Sequence, residues 1–214
     1  MTLVAARIEL HYAAQILAAC ADAWLPRRAD DGHTAMRWLT PALVGETGLA
    51  LHCVTLELRA ADGATFALAG RTLADALAWA DPKRGARLRD YDLPESPLRT
   101  GGAFAAPTPE LAELARWYDA GLAAVSRVAG AASIRVWPHH FDLGAVLDDG
   151  IGVGLSPGDR YYAEPYYYVI PARPVATAPA IGGGGFWRTD GWQGAVLLGG
   201  APDAFLASSI AALR

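Results

Sequence analysis

Nowhere else in this chain are side chains that could do chemistry so concentrated as in Trp137-Pro138-His139-His140-Phe141-Asp142-Leu143 and the later run from Ser156 to Val169. The later run reads Ser-Pro-Gly-Asp-Arg-Tyr-Tyr-Ala-Glu-Pro-Tyr-Tyr-Tyr-Val. Together they hold two of the five histidines, five of the eight tyrosines and three acids, Asp142, Asp159 and Glu164. Read as a strand, the first segment turns alternate side chains to opposite faces, so His140 and Asp142 share one face and His139 and Phe141 the other. A neutral imidazole beside a carboxylate can supply two ligands to a metal. It can also act as a general base, with His140 taking the proton and Asp142 orienting the ring. Both uses need further partners, and Asp159, Glu164, His11 and His52 are the candidates. The plainer use of the same pair is a structural network, in which it hydrogen-bonds the backbone of the 156–164 loop and satisfies buried polar groups.

Ser156-Pro157-Gly158-Asp159 has turn composition, and its Asp can cap the next segment. In a functional reading, Asp159, Tyr161, Glu164 and Tyr166 bind a ligand at the mouth of a pocket. Tyrosines suit this because their flat apolar rings carry polar tips. Packing in the core and at the sheet edge is the plainer role for them. Gly182-Gly183-Gly184-Gly185 lacks the Gly-Lys-Ser/Thr ending of a phosphate loop and reads as a hinge, with Phe186-Trp187 and Trp192 after it as an aromatic lid or as sheet packing. Ser126, Ser208 and Ser209 stand in no Gly-x-Ser-x-Gly elbow. Cys20 and Cys53 form no Cys-x-x-Cys motif and read as buried reduced thiols. His11 and Gln15, four apart on the first helix, either face inward as a polar pair or lie at the surface.

Several elements must position these groups. Apolar residues at three- and four-residue spacing predict a helix over 8–25, ended by Pro26. Strands are expected over 34–40, over 52–59 (from its alternation) and over 65–69, the last two joined by the Asp62-Gly63 hairpin signal. Thr72 and Asp75 open a short helix over 72–80. Residues 81–107 form a long loop rich in Pro, Gly and Arg, which either divides two subdomains or covers a pocket. Thr108-Pro109-Glu110 opens a helix that ends at Gly130. Strands come next over 133–147 (broken at Pro138), 151–155, 166–171 and 193–198, and a closing helix over 202–213. Hairpin connections dominate, which predicts an α+β fold of antiparallel sheet with helices packed on one face. One domain over 1–214 is expected, or two lobes, 1–80 and 108–214, joined by the 81–107 loop.

The chain has 214 residues, 53% hydrophobic and 19% charged, with a net charge of −4. This is a globular composition, long enough for a substantial core. The acidic balance gives no footprint for nucleic acid. Lys83, Arg84, Arg87 and Arg89 cluster, but Asp81, Asp90 and Asp92 flank them, as on a solvated loop. Glu9 and His11 follow Met1–Arg7 before any apolar region of useful length, so neither a secretory signal nor a membrane span of roughly 18 apolar residues is expected. The cytoplasm is the expected location.

Four motifs carry a resemblance: Trp-Pro-His-His-Phe-Asp at 137–142, Gly-x-Ser-Pro-Gly-Asp at 154–159, Glu-Pro-Tyr-x-Tyr-Val at 164–169 and Phe-Trp at 186–187. With these the chain resembles a bacterial domain-of-unknown-function family, in which an acid often stands at the position of His139. Leu10-His11 through Gln15 and Leu51-His52 also resemble that family. The resemblance brings no activity with it, but it implies a shared pocket around Asp142, Asp159 and Glu164. Two functions are therefore expected as alternatives. One is a small-molecule or metal pocket near His140 and Asp142, with metal-assisted hydrolysis as the reaction class and the cofactor unknown. The other is a non-catalytic protein that binds a partner, or itself as a homo-oligomer, through a surface rich in Tyr and Trp.

Overall fold

The computed structural model describes residues 1–214, apart from the side chain of Ala131. The chain divides into two compact units. The first comprises Met1–Arg116 with Val136–Phe141, and the second Trp117–Arg135 with Asp142–Arg214. Both are α+β, and their strand pairings are antiparallel. The 81–107 loop lies wholly within the first unit.

Helix α1 (Leu3–Trp24) starts earlier than its periodicity suggests, because Thr2 caps it by accepting the Ala5 N–H at 3.2 Å. It ends at Leu25, whose successor Pro26 disfavours a helical conformation before it. Fourteen of its 22 residues are buried, so it is a core helix covered on most sides. By length and composition it could cross a membrane (mean hydropathy 1.2), which corrects the expectation that no stretch would qualify. The apolar window is 72% buried inside the protein. Arg7, His11 and Gln15, at four-residue spacing, form a buried polar line along it.

In the first unit α1 packs on β2 (Ala42–Gly45), β3 (Ala50–His52) and α2 (Leu73–Ala80). The strand order is β6-β1-β2-β3-β4-β5, where β1 is Met36–Leu39, β4 Glu57–Arg59, β5 Thr65–Ala67 and β6 Arg135–Val136. The strand expected over 52–59 is instead a hairpin, because Leu56 adopts φ +48° and His52 pairs with Glu57. Alternation cannot detect a reversal that keeps apolar residues on both arms. Helix α2 carries the expected capping box, with Thr72 and Asp75 satisfying each other's backbone N–H.

Helix α3 (Pro109–Ala129) ends at Gly130, which takes φ +74°. In the second unit the strand order is β10-β11-β9-β8-β7. These are β7 (Leu143–Val146), β8 (Gly152–Ser156), β9 (Tyr166–Ile170), β10 (Phe186–Arg188) and β11 (Gly194–Leu197). One sheet face carries Leu143, Val153, Leu155, Tyr167, Val169 and Leu197, all buried. Gly121 of α3 lies against Leu155, and α4 (Pro202–Leu213) packs on β9 and β11. The opposite face carries Gly144, Gly154, Tyr166, Tyr168, Val196 and Arg188. Two glycines of the Gly182–Gly185 run lie hard against α4: a Cβ on Gly183 would come within 2.4 Å of the Phe205 backbone, and one on Gly185 within 2.5 Å of the Phe205 ring. These glycines let the chain cross the first turn of α4, which corrects the hinge reading. Phe186-Trp187 is likewise strand β10, not a lid.

Candidate functional site

The 137–142 segment is a turn, not the expected strand. The Phe141 N–H donates to the Trp137 carbonyl at 2.7 Å, and Phe141 takes φ +58°. A bulky residue in the left-handed region is strained and persists only where its surroundings hold it. Two contacts from α1 do so. His11 Nε2 and Gln15 Nε2 both donate to the Pro138 carbonyl, each at 2.7 Å. The Phe141 ring stacks on the His11 ring with centroids 4.8 Å apart and planes 8° from parallel. The polar line on α1 is thus a clamp for this turn, and the surface alternative for His11 is set aside.

The strand argument that put His140 and Asp142 on one face fails with the strand. His139 and His140 are both exposed, their ring centroids 4.2 Å apart, and Tyr91 stands 5.9 Å from His139. His140 belongs to the first unit and Asp142 to the second. His11 is driven down to about 4, chiefly by burial and then by the neighbouring charges of Arg7, His140 and His139. Its donation through Nε2 leaves Nδ1 unprotonated in the neutral ring.

In the second unit Asp142 accepts the Tyr168 hydroxyl through Oδ2, while its Oδ1 is buried and has no partner among the described residues. The Tyr168 ring reaches it across two facing glycines. A Cβ on Gly154 would lie 2.4 Å from Tyr168 Oη, and one on Gly144 2.6 Å. Gly144 pairs with Gly154, and Gly154 with Tyr168, so the glycines form a slot for the ring. Asp159 Oδ1 accepts the N–H groups of Tyr161 at 2.7 Å and Tyr162 at 3.0 Å, and its Oδ2 accepts the Tyr166 hydroxyl at 2.7 Å. Burial and then Asp159 raise the Tyr166 hydroxyl above its ordinary value, and burial and then Asp142 raise that of Tyr168. Asp142, Asp159 and Tyr166 therefore come together in one unit, each engaged in holding the sheet face and its loop. Glu164 is exposed on that loop. Of the other proposed partners, His11 holds Pro138, and His52 Nδ1 lies 2.8 Å from Thr55 Oγ1.

The residue that sequence reading passed over is Arg188. Its guanidinium carbon sits 4.1 Å from the Tyr161 ring centroid, 5.4 Å from that of Tyr162 and 5.7 Å from that of Trp192. Nη1 donates to Tyr162 Oη at 3.0 Å, and Nε is buried with no partner among the described residues. Nη2 lies 3.9 Å from Asp190, whose side chain is fully exposed. Tyr162 also meets the rings of Tyr166 at 5.0 Å and Phe186 at 6.2 Å. The only sequence signal was the Phe-Trp pair just before Arg188; nothing local says which rings gather on it.

Among the described residues no three His, Cys, Asp or Glu side chains gather to hold a metal ion. Two surface depressions, about 480 and 410 Å³, flank the Arg214–Asp149 ion pair, and neither is lined by His140, Asp142, Asp159, Arg188 or the tyrosines around them. Comparison with family models, with curated proteins and with solved structures found no match.

Proposed function

We propose that this protein binds a small molecule on the helix-free sheet face of its second unit, against Tyr161, Tyr162, Trp192 and Arg188. One observation carries the reading. Three partly exposed aromatic rings are held around one guanidinium on the face that α3 and α4 leave uncovered. Rigid rings with polar tips give contact area at little entropic cost, which suits a small planar ligand. Asp159 and Tyr166 support the site from behind by fixing the loop that bears Tyr161 and Tyr162. Metal-assisted hydrolysis through His140 and Asp142 is less well supported, since Asp142 is taken up by Tyr168 and no metal-ligand set stands among the described residues. Saturation-transfer NMR against a library of planar ring compounds tests the proposal. Wild type should bind some of them, and Trp192→Ala and Tyr161→Ala should lose that binding. If wild type binds none, the proposal fails.

A second reading, self-association, rests on the exposed end of the same face. Val146 and Ile170 are 69% and 40% exposed and flank Gly152 on β8. Apolar groups on one face are a common mark of an interface. Sedimentation velocity should then give a mass that rises with concentration and an Ile170→Lys variant that stays monomeric. A wild type that stays monomeric across the range removes this reading.

A further inference from the structure

We infer that the ligand of this face carries a carboxylate on a planar ring, and that Asp190 occupies the position of that carboxylate in the free protein. This rests on the proposed ligand site and specifies its chemistry. Two arginines of the chain differ sharply in their counter-ions. Arg89 has a side chain 16% exposed, and it is fully paired, with Asp22 and with Asp31 at 3.0 Å. Arg188 is buried further, at 11% exposed, yet its nearest carboxylate is Asp190 at 3.9 Å on a fully exposed side chain. Taking a guanidinium out of water without a firm counter-ion is costly, and stacking on rings offsets only part of that cost.

Asp159, which fixes the loop that bears Tyr161 and Tyr162, is not free to pair with Arg188. Asp159 already accepts two backbone N–H groups and the Tyr166 hydroxyl. Nη1 of Arg188 is committed to Tyr162. This leaves the Nε and Nη2 edge, the fork that matches the two oxygens of a carboxylate. A second guanidinium, that of Arg160, lies 5.1 Å from the centroid of the same Tyr161 ring and adds positive potential there. The rings of Tyr161, Tyr162 and Trp192 around the guanidinium favour a flat group attached to the anion. Asp190 precedes Gly191, which adopts φ +79° and closes on Tyr161: a Cβ there would fall 2.5 Å from Tyr161 Oη. The bend bearing Asp190 thus lies against the hydroxyl edge of Tyr161, and a ligand carboxylate exchanges with the Asp190 carboxylate at Nη2 and reaches Nε as the bend yields.

Titration calorimetry and NMR on the full chain, with benzoate, benzamide and inorganic phosphate as probes, test this. Benzoate should bind at least ten-fold more tightly than benzamide, and more weakly as chloride rises. Arg188→Gln should lose most of that preference. Because Arg188→Gln can disturb the fold, Asp190→Asn is the decisive variant. Its side chain is fully exposed, and removing the competing carboxylate should tighten benzoate several-fold while leaving benzamide unchanged. Equal binding of benzoate and benzamide overturns the carboxylate inference while the ligand site stands. Weakened or unchanged benzoate binding in Asp190→Asn overturns the exchange. Phosphate binding as tightly as benzoate overturns the role of the ring. If no ring compound binds at all, the underlying ligand-site reading fails with it.

Discussion

His11 is the residue whose chemistry is most altered by where it lies. Its imidazole donates to Pro138, stacks on Phe141 and is driven down to about 4, mainly by burial. The folded protein therefore binds fewer protons at this site than the unfolded chain between pH 4 and about 6.5. That stability is fully present above about pH 6.5 and is lost as pH falls towards 4, at up to roughly 1.4 kcal/mol per pH unit. Urea unfolding of wild type and His11→Gln across this range should show the variant with the shallower pH slope; equal slopes would remove His11 as the cause. Gly154 is the second sensitive position. Its missing side chain is the space that Tyr168 Oη occupies, 2.4 Å from where a Cβ would stand, and the Leu143 carbonyl is 2.5 Å away on the neighbouring strand. Backbone on one side and a buried ring on the other leave no room to relax. Gly154→Ala should cost about 3 kcal/mol in chemical denaturation.

At the scale of elements, the 81–107 segment behaves less like a linker than its composition suggests. Arg89 reaches Asp22 near the end of α1, and His33 Nε2 lies 2.7 Å from the same carboxylate. Tyr12 donates to the Pro94 carbonyl at 2.8 Å, and Asp81 accepts Trp24 Nε1 at 3.1 Å. The loop is thus strapped along α1 by polar contacts to backbone and carboxylate, because it has few apolar side chains to bury. Cutting the central strap should free it: Arg89→Met is expected to speed limited proteolysis within 82–96 several-fold and to cost about 2 kcal/mol, less than a fully buried pair because Asp22 is a quarter exposed. Unchanged cleavage would assign the hold to Tyr12 and Asp81 instead. The turn at Pro138–His140 is held in the same way as Pro94 and Asp81, by donors on α1.

At the scale of the molecule, both thiols report on the first unit. Cys20 and Cys53 have no exposed surface, and burial pushes the Cys20 thiol up to about 12. The thiolate is the reactive form. At pH 8 both cysteines should therefore react with an aromatic disulfide reagent only as fast as that unit unfolds, with denaturant accelerating both together. Labelling of either within seconds in native buffer would contradict the core described for α1.

What the chain revealed on its own was set by short-range chemistry. The Thr72–Asp75 capping box, Gly130 ending α3 and the Asp62-Gly63 turn each depend on residues within four of one another. The antiparallel α+β class followed from them. Tertiary contact alone decided the rest. Alternation placed His140 beside Asp142, but the backbone there turns because a helix 127 residues away in sequence holds the Pro138 carbonyl. The tyrosines were visible as a cluster. That Tyr168 lies in a glycine slot and Tyr166 on Asp159, while Tyr161 and Tyr162 surround Arg188, depends on strand register and loop closure. A periodic pattern records which face a side chain takes; it carries no record of the distant group that meets it there.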